Sequence, residues 1–379
     1  MATRGFPGLV CHYRHRGPTD RRRHLRSPQA DLRRGGLTTT VETAPLASVI
    51  IVNFNGLGFL DDCLTAVLAQ DLEGPFEVVV VDNASTDGSG AYVRERYLSV
   101  RLIQAGRNLG FAGGNNLGIR GTRGRYVVLL NNDTRVRPGW LAALVAVAEA
   151  DPSVGAVTAK LLFKNQPGTI QNAGILLLSD GSGADRGFHE ADRGQFDRQE
   201  QVFGACGASA LYRRAMIADV GMLDETFFMY YEDTDLSWRM RLRGWTVVYQ
   251  PAAVVDHVHA GTSREWSPFF TFHVDRNRLF MILKNGSSGF VVASFVAFAG
   301  LAAASATRAI GRRIDARAGA GAPASDGVTR ARIHLRVVAS LLRHLPEMLG
   351  KRRAIRSGRK VDDASIRAWL YPREQWRGR

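Results

Sequence analysis

The chain has 379 residues, 45% of them hydrophobic, which is enough for one large domain with an appendage or for two domains. The net charge is +15, but residues 1–40 carry net +7 and residues 307–379 carry net +12, so the intervening segment is net −4. This distribution argues against a nucleic-acid-binding core, which would concentrate Lys and Arg on its folded surface. Cys11, Cys63 and Cys206 lack the spacing of a metal or disulfide site and fit a reducing compartment.

The N-terminal residues 1–43 are predicted to be a disordered basic extension. Residues 1–40 show no apolar periodicity and contain short runs of arginine. They also lack the apolar core of a secretory signal. A protein that started near Val41 would lose no recognisable motif.

The first half of the folded region alternates between predicted strands and helices. Helical apolar spacing follows the first strand, Ser85 or Thr86 can cap a helix after the second, and a Gly/Asn-rich loop at 107–116 leads into a third helix. Continuous apolar strands that alternate with helices predict a parallel sheet with helices on both faces. The predicted strands are Ser48–Asn53, Phe76–Val81, Val100–Ile103 and Tyr126–Leu130.

Three of these strands end in polar side chains, namely Asn53 with Asn55, Asp82, and the run Asn131–Asp133. The carboxyl ends of parallel strands meet at one edge of a sheet, which is where such sheets bind nucleotides. A hard divalent cation prefers oxygen ligands, and a nucleoside diphosphate would bring more of them. One Asp after a strand is usually a turn residue, but the repeated pattern favours a site. No GxGxxG or GxxxxGK[ST] motif supports hydride transfer or P-loop chemistry.

The second half of the chain is less regular. Residues 164–200 are rich in Gly, Asp and Arg, which predicts a mobile loop over the site. The small residues at 204–210 predict close approach of the backbone to a neighbour, followed by a strand or buried turn. A helix is predicted near 213–219.

Three acidic residues follow an aromatic run and open a predicted amphipathic helix. Glu232, Asp233 and Asp235 lie within four positions, and burying such carboxylates together is costly. Acids at a helix N-terminus are also favoured by the helix dipole, so a structural role is one interpretation. In combination with Asp82 and Asp133, the cluster favours a general base held beside a substrate.

A strand-like segment places His257 about two dozen residues after these acids. A single histidine is usually structural or solvated. This position after a strand also suits a metal ligand, and the residues alone leave both interpretations open.

The C-terminal region 286–379 is predicted to be helical, basic and membrane-associated. Residues 288–306 carry no charge, and their length is near the lower bound for a membrane span. Their Ala, Ser and Gly content makes insertion marginal, so an interfacial helix and a span remain open. Residues 333–345 form an amphipathic pattern with interleaved arginines, which is typical of membrane-surface helices. A basic tail from 351 is predicted to be mobile.

Residues 47–285 resemble inverting glycosyltransferases of family 2, in both the order and the spacing of five stretches. The resemblance implies an α/β GT-A fold for residues 44–285, which is Rossmann-like with a mixed, mostly parallel sheet and helices on both faces, followed by C-terminal amphipathic and apolar helices. It is nearest to the rhamnosyltransferase-like and galactofuranosyltransferase-like actinobacterial cell-wall branch. The five stretches are Ser48–Gly56, Val80–Gly88, Arg107–Gly118, Leu129–Arg135 and Phe227–Gly244.

The resemblance assigns a donor-binding role to several polar residues. Asp82 matches the acid that binds the pyrimidine base of the nucleotide donor. Asp133 and His257 match ligands of Mg²⁺ or Mn²⁺, and His259 is a competing histidine. The residues expected around the nucleoside and phosphates are Asn53, Asn55, Asn83, Arg107, Asn108 and Asn132.

The same resemblance names the catalytic base and shows one departure from the family pattern. Asp233 matches the base, and Glu232 and Asp235 are its neighbours. Asn131 stands where the first acid of the metal-binding motif is expected, so metal affinity would depend on His257. The pair Arg276-Asn277 resembles a family Arg-Asn pair whose role is unclear.

The implied function is transfer of a sugar, with inversion, from a nucleoside-diphosphate sugar to a hydroxyl of a glycan or polyprenyl-diphosphate-linked acceptor. The resemblance also implies a role in cell-wall or surface-polysaccharide synthesis, and rhamnosyl transfer is the best single expectation. The expected location is the cytoplasmic face of the plasma membrane, peripheral or with one marginal membrane segment, and no nucleic-acid partner is expected. A catalytically inactive membrane-bound scaffold and a sugar nucleotidyltransferase are the alternatives. A nucleotidyltransferase would need an early Gly-rich pyrophosphate loop with a basic residue, where this chain has Asn53–Gly56.

Overall fold

The computed structural model describes residues 44–258, 267–317 and 325–376, and the side chains of all of these except 311–317 and 325–328. Its strands are β1 (Ala47–Asn53), β2 (Phe76–Asp82), β3 (Arg101–Gln104), β4 (Tyr126–Asn131), β5 (Thr134–Val136), β6 (Val154–Phe163), β7 (Ile170–Asn172), β8 (Ile175–Leu178), β9 (Gly183–Asp185), β10 (Glu200–Gln201), β11 (Ser209–Arg213), β12 (Thr246–His257) and β13 (Leu370–Tyr371). Its helices are α1 (Leu57–Leu68), α2 (Ser89–Arg96), α3 (Gly110–Gly121), α4 (Trp140–Ala150), α5 (Arg214–Val220), α6 (Glu232–Leu242), α7 (Pro268–Asn285), α8 (Ser288–Arg317), α9 (Ser325–Gly358) and α10 (Asp363–Arg367).

One large mixed sheet organises these elements. Its order is β10-β12-β6-β11-β4-β1-β2-β3, with β5 paired to β12 and β7 paired to β6. The four strands β3, β2, β1 and β4 are parallel, as the alternation of strands and helices predicts. The strand β11 runs antiparallel to both β4 and β6, so the sheet reverses direction beside the central strand. The mixed, mostly parallel sheet agrees with the predicted fold class.

Helices cover both faces of the sheet because successive residues of a buried strand point to opposite sides. In β1, Val49 and Ile51 pack into the core on the side of α1 and α4, whereas Ile50 packs on the side of α3. The helix α3 lies very close to the strands, since a Cβ on Gly118 would stand 2.4 Å from the Ile50 side chain. This close approach requires a glycine at position 118. The helix begins at Gly110, so most of the segment 107–116, predicted to be a loop, belongs to α3.

Two predicted features differ from the structure. The segment 164–200, expected to be an irregular mobile loop, contains β7, β8 and β9. Lys160, on the neighbouring strand β6, joins this segment to the body through ion pairs with Asp192 and Asp197. The basic tail from 351 continues α9 and then forms α10 and β13, which pairs with β8. Within 164–200, β7 and β9 pair with the nearby strands β6 and β8, whereas β8 and β13 are far apart along the chain, and sequence periodicity does not report such a distant pairing.

Helices α7, α8 and α9 follow the sheet. In α7, Lys284 forms ion pairs with Asp224 and Asp235. The helix α9 packs against α7, and Arg352 of α9 donates to the carbonyl oxygens of Leu283 and Gly286. Ion pairs therefore join α7 to the rest of the sheet-containing domain, and hydrogen bonds join α9 to the end of α7. The predicted extension 1–43 and His259 lie outside the described residues.

Candidate active site

The carboxyl ends of β1 and β2 place Asp82 beside the first turn of α2. Asn53 and Asp82 are register partners in the parallel pair, so their side chains begin at the same edge of the sheet. The Asp82 carboxylate is buried and accepts a hydrogen bond from the Ser85 backbone N–H at 3.2 Å. A Cβ on Gly90 would lie 2.8 Å from the second Asp82 oxygen, so the glycine leaves space for this carboxylate.

Asn53 connects that edge to the end of β4. Its Nδ2 donates to Ser89 Oγ at 2.8 Å and its Oδ1 accepts from Asn132 Nδ2 at 2.7 Å. Because Asn53 is buried and both ends of its amide are engaged, it positions Asn132 and the β2–α2 turn. Asn55, in contrast, is exposed and accepts from the Thr86 backbone N–H at 2.8 Å.

Asn83 organises the start of α3. Its Nδ2 donates to Asn108 Oδ1 at 3.0 Å, and its Oδ1 accepts from the Leu109 backbone N–H at 2.9 Å. Asn83 is buried, whereas Asn108 and Arg107 are exposed at the mouth of the same edge. Asn83 is therefore placed to shape the loop, and Arg107 and Asn108 are placed to meet a ligand from solvent.

The decisive pair of the site is Asp133 with His257. Strand β5 pairs antiparallel with the end of β12, and His257 is opposite Thr134. This pairing places His257 Nε2 3.0 Å from Asp133 Oδ1, although 124 positions separate the two residues. Their side chains are 5% and 7% exposed, so the contact is nearly dry. Asn131 Nδ2 lies 3.4 Å from the same nitrogen.

Gln171, which sequence analysis did not single out, lies on the other side of the imidazole. Its Oε1 is 2.7 Å from His257 Nδ1. With the amide in this orientation, a neutral imidazole carries its proton on Nδ1, and the lone pair of Nε2 faces the Asp133 oxygen. Gln171 belongs to β7, within the segment that was interpreted as a loop, so no periodicity indicated its role.

Asp233 lies in the first turn of α6 and is tied to the end of β4 through Gly207 and Ala208. Its Oδ2 accepts from the Gly207 backbone N–H at 3.0 Å, and the Asn131 backbone N–H donates to the Ala208 carbonyl at 3.0 Å. Burial raises the pKa of the Asp233 carboxyl, although three hydrogen bonds from Gly207 and Thr234 oppose that rise. A carboxylate with a raised pKa is a stronger base than an ordinary one.

Comparison with known proteins identifies the family. Residues 48–221 match the profile described as Glycosyl transferase family 2. The N-acetylglucosaminyl-diphospho-decaprenol L-rhamnosyltransferase of Mycobacterium tuberculosis (strain ATCC 25618 / H37Rv) is 31% identical over 244 residues, covering 57% of this chain and 78% of that protein. The chain belongs to glycosyl transferase family 2.

Other similarities are more partial. An uncharacterized protein, y4gI, of Sinorhizobium fredii is 32% identical over 235 residues, which is 59% of this chain but only 25% of that protein. Among solved structures, GalNAc-T7 with UDP, GalNAc and Mn²⁺ superposes with a TM-score of 0.51 at 16% identity, covering 64% of this chain and 48% of that one. The predicted family and the predicted GT-A fold are both confirmed.

The other two acids of the cluster have different environments in this glycosyltransferase. Glu232 is buried, and its Oε2 has no hydrogen-bond partner among the described residues. Burial and the neighbouring Asp233 charge raise the pKa of the Glu232 carboxyl well above its ordinary value. Asp235 is fully buried and accepts hydrogen bonds from Arg239, Lys284 and Asn285, so it anchors α6 to α7.

Arg276 and Asn277 hold the backbone segment that directly precedes the acid cluster of α6. Phe228, Tyr230 and Tyr231 all have φ near +70°, a conformation that costs free energy for residues other than glycine. Asn277 Nδ2 lies within 3.0 Å of the carbonyl oxygens of Phe227, Met229 and Tyr230, and Arg276 donates to those of Thr226 and Phe227. These contacts fix the backbone immediately before Glu232.

The side chains of Asp133 and His257 would suit a divalent cation whose other ligands come from the substrate. In the described part of the chain, no cluster of three or more His, Cys, Asp or Glu side chains is arranged around a metal position. Asp133 and His257 offer an oxygen and a nitrogen that face each other, and a neutral histidine would place two acceptors 3.0 Å apart. A cation bound to both would stabilise that arrangement, and its remaining ligands would be diphosphate oxygens and water.

Proposed function

We propose that this glycosyltransferase moves a sugar from a nucleoside-diphosphate sugar to a hydroxyl of a glycan or polyprenyl-linked acceptor, with inversion at the anomeric carbon. The observation that carries the proposal is the nearly dry contact between Asp133 and His257. Asp233 is connected to the adjacent Asn131 through the backbone of Gly207 and Ala208. The name of the relative from Mycobacterium tuberculosis supports a polyprenyl-diphosphate-linked acceptor and makes a rhamnosyl donor the best single expectation.

On the donor side, Asp82 binds the base, and Arg107, Asn108 and Asn55 contact the nucleoside or phosphates from the exposed mouth of the site. Asn53, Asn83 and Asn132 position these groups, because Asn53 and Asn83 use their amides within the protein and Asn132 donates to Asn53. Asp133 and His257 hold Mg²⁺ or Mn²⁺, which offsets negative charge on the leaving nucleoside diphosphate when bound.

On the acceptor side, Asp233 takes the proton of the attacking hydroxyl. The hydroxyl oxygen forms a bond to the anomeric carbon as the bond from that carbon to the diphosphate oxygen breaks, so one displacement inverts the configuration. Burial and the Asp233 charge raise the pKa of the Glu232 carboxyl, which favours its neutral form beside Asp233.

The deciding experiment is a thermal-shift screen of nucleoside-diphosphate sugars, including dTDP-rhamnose and UDP-sugars, with and without Mn²⁺. We expect one donor to raise the melting temperature in a metal-dependent manner, and transfer to a lipid-linked glycan to follow with that donor. Asp133→Ala should remove the metal-dependent increment, and Asp82→Ala should weaken donor binding with or without metal. An unchanged donor affinity in the Asp82 variant would reject its role.

The proposed location is the cytoplasmic face of the plasma membrane. Among the described helices, only Ser288–Ile310 is long and apolar enough to cross a membrane, by length and composition. A lipid-linked acceptor would also be found at that surface. Loss of membrane sedimentation on deletion of residues 286–379 would support the proposal, and undiminished sedimentation would refute it.

A further inference from the structure

Helix α9 has two apolar faces, and the protein covers only one of them. Its inner face packs against α7 and α8 through Ile333, Val337, Leu341 and Met348, all of which are buried. A second set of apolar side chains, between 37% and 69% exposed, points away from the protein. We call this set the leucine stripe, and it comprises Leu335, Val338, Leu342, Leu345 and Leu349.

The leucine stripe is regular and has a basic border. Its members are spaced alternately by three and four residues, which keeps them on one side of a helix. At about 100° per residue, the exposed Arg332, Arg336 and Arg343 form a second row about 120° around the helix from the stripe. An apolar row beside a row of arginines is the pattern of a helix that lies in the plane of an anionic membrane surface.

Helix α8 adds a further apolar surface next to this stripe. Ser305 Oγ lies 2.9 Å from His334 Nδ1, and the Phe298 ring packs edge-on against the same histidine. His334 lies one helical turn before Val338 on the same side of α9, so α8 borders the stripe. Only 17% of the most apolar 18-residue stretch of α8 is buried. Val292 and Val296 are more than 60% exposed. Such an area of exposed apolar surface requires a partner.

The packing of α8 argues against a simple membrane crossing. Ser288, at its start, lies near Arg352 of α9, and Ser305, further along, lies near His334, so the two helices are antiparallel neighbours. The same part of α9 packs on α7, where the Arg336 guanidinium stands 4.8 Å from the Phe272 ring. A crossing α8 would carry three arginines of α9 and the attached body into hydrocarbon, which is unfavourable.

We propose that α8 and α9 form a hairpin that lies in one leaflet of an anionic bilayer without crossing it. The leucine stripe and the exposed side of α8 enter the boundary between headgroups and acyl chains, while Arg332 and Arg343 contact lipid phosphates. Because α9 packs on α7, and α7 holds the segment before Asp233, the active site keeps a fixed height above the membrane. The inference deepens the proposed membrane location, but its tests do not require catalysis.

The first test is flotation of the full-length protein with vesicles of phosphatidylcholine containing 30% phosphatidylglycerol. The variant Leu335→Glu/Leu342→Glu should lower the bound fraction at least ~10-fold, because it places two charges in the inserted stripe. The matched control is Leu98→Glu, at an 88% exposed apolar position on the body, which should bind as the wild type does. Circular dichroism and thermal melting establish that each variant is folded. Equal loss of binding in both variants, or no loss in the stripe variant, would overturn the inference.

A second set of variants tests how much the arginine charges contribute to binding. A mass measurement tests whether the stripe binds a second copy of the chain instead of a membrane. Arg332→Gln/Arg343→Gln should weaken binding to the anionic vesicles and change binding to pure phosphatidylcholine little. The spacing of the stripe would also suit a second copy of the chain. Light scattering therefore measures the mass of wild type and stripe variant in detergent-free buffer. A dimer that the stripe variant dissociates, together with unchanged vesicle binding, would contradict the membrane assignment.

A third test addresses the crossing. A cysteine is introduced as Arg330→Cys in a Cys11→Ser/Cys206→Ser background that keeps the buried Cys63, and inverted membrane vesicles, whose outer face is the cytoplasmic one, are treated with a membrane-impermeant maleimide. Position 330 is exposed near the start of α9, so it lies on the cytoplasmic side if α8 stays in one leaflet and on the opposite side if α8 crosses. Labelling without detergent supports the in-plane hairpin, and protection until detergent is added shows that α8 crosses.

Discussion

His257 Nε2 lies 3.0 Å from Asp133 Oδ1, and Gln171 Oε1 lies 2.7 Å from the other imidazole nitrogen. The glutamine and the aspartate thereby fix the imidazole ring from both sides, so that Nε2 faces the carboxylate. We therefore expect Gln171 to position His257 as the proposed metal ligand, in the way that partners of ligating histidines commonly act.

We expect Gln171→Leu to lower Mn²⁺ affinity by ~10-fold to ~100-fold, the usual effect of removing such a partner. Mn²⁺ binding is measured by electron paramagnetic resonance in the presence of the nucleoside diphosphate, so the readout does not depend on turnover. Gln166→Leu, five positions earlier and exposed, is the matched control. Equal Mn²⁺ affinity in the two variants would contradict the role.

Asp233→Ala should lower turnover by ~10²-fold or more, because it removes the proposed general base. Donor binding, measured by thermal shift with the nucleoside-diphosphate sugar, should remain close to that of the wild type. Since burial raises the pKa of Asp233, the acid limb of the wild-type kcat/KM profile should have its midpoint above the ordinary Asp value. Near-normal turnover of the variant would reject the assignment.

Glu232→Gln should stabilise the protein increasingly as pH rises. A carboxyl whose folded-state pKa is raised binds its proton more tightly in the folded than in the unfolded state, so stability is lost as pH rises above the unfolded pKa. Glutamine cannot ionise, so thermal unfolding from pH 5 to pH 8 should show a smaller decline for the variant. Parallel curves for wild type and variant would show that Glu232 does not have a raised pKa.

Asn277→Ala should lower kcat at least ~10-fold and leave the KM for the donor nearly unchanged, because the lost contacts hold the strained segment before Asp233. Arg278→Ala, on the same helix but bonded to the Asp180 carbonyl instead, is the control and should retain kcat. Adding Tyr230→Gly to the Asn277 variant should restore part of the activity, because glycine adopts positive φ without strain. A change in KM alone, with kcat intact, would assign Asn277 to donor binding.

The parallel half of the fold could be predicted closely, because local apolar runs and turn residues specify it. The predicted strand Tyr126–Leu130 is observed as β4, and the predicted strand Phe76–Val81 as β2. The strands within 164–200 could not be predicted because they are only three or four residues long, and β13 could not be predicted because its partner is distant along the chain. The pairing of β13 with β8 joins positions nearly 200 residues apart.

The candidate site shows the same division. Carboxylates at strand ends mark Asp82 and Asp133 in the sequence, and the acid cluster marks Asp233, because residue type and local position are sufficient for such a prediction. Gln171 carries no local signal, and Arg276-Asn277 could be noted only by resemblance. Their contacts with His257 and with the 227–230 carbonyl groups exist only after the chain has folded.

The sequence alone determined which residue types stand at the ends of the parallel strands, and with them the family, because chain order and strand periodicity are local properties. Only the tertiary structure decided that His257 meets Asp133, that Asp235 is an anchor while Asp233 bonds to the Gly207 backbone, and that α9 leaves a leucine stripe uncovered. Each of these depends on which elements pack together, and that packing follows from burial summed over the whole chain rather than from any one segment.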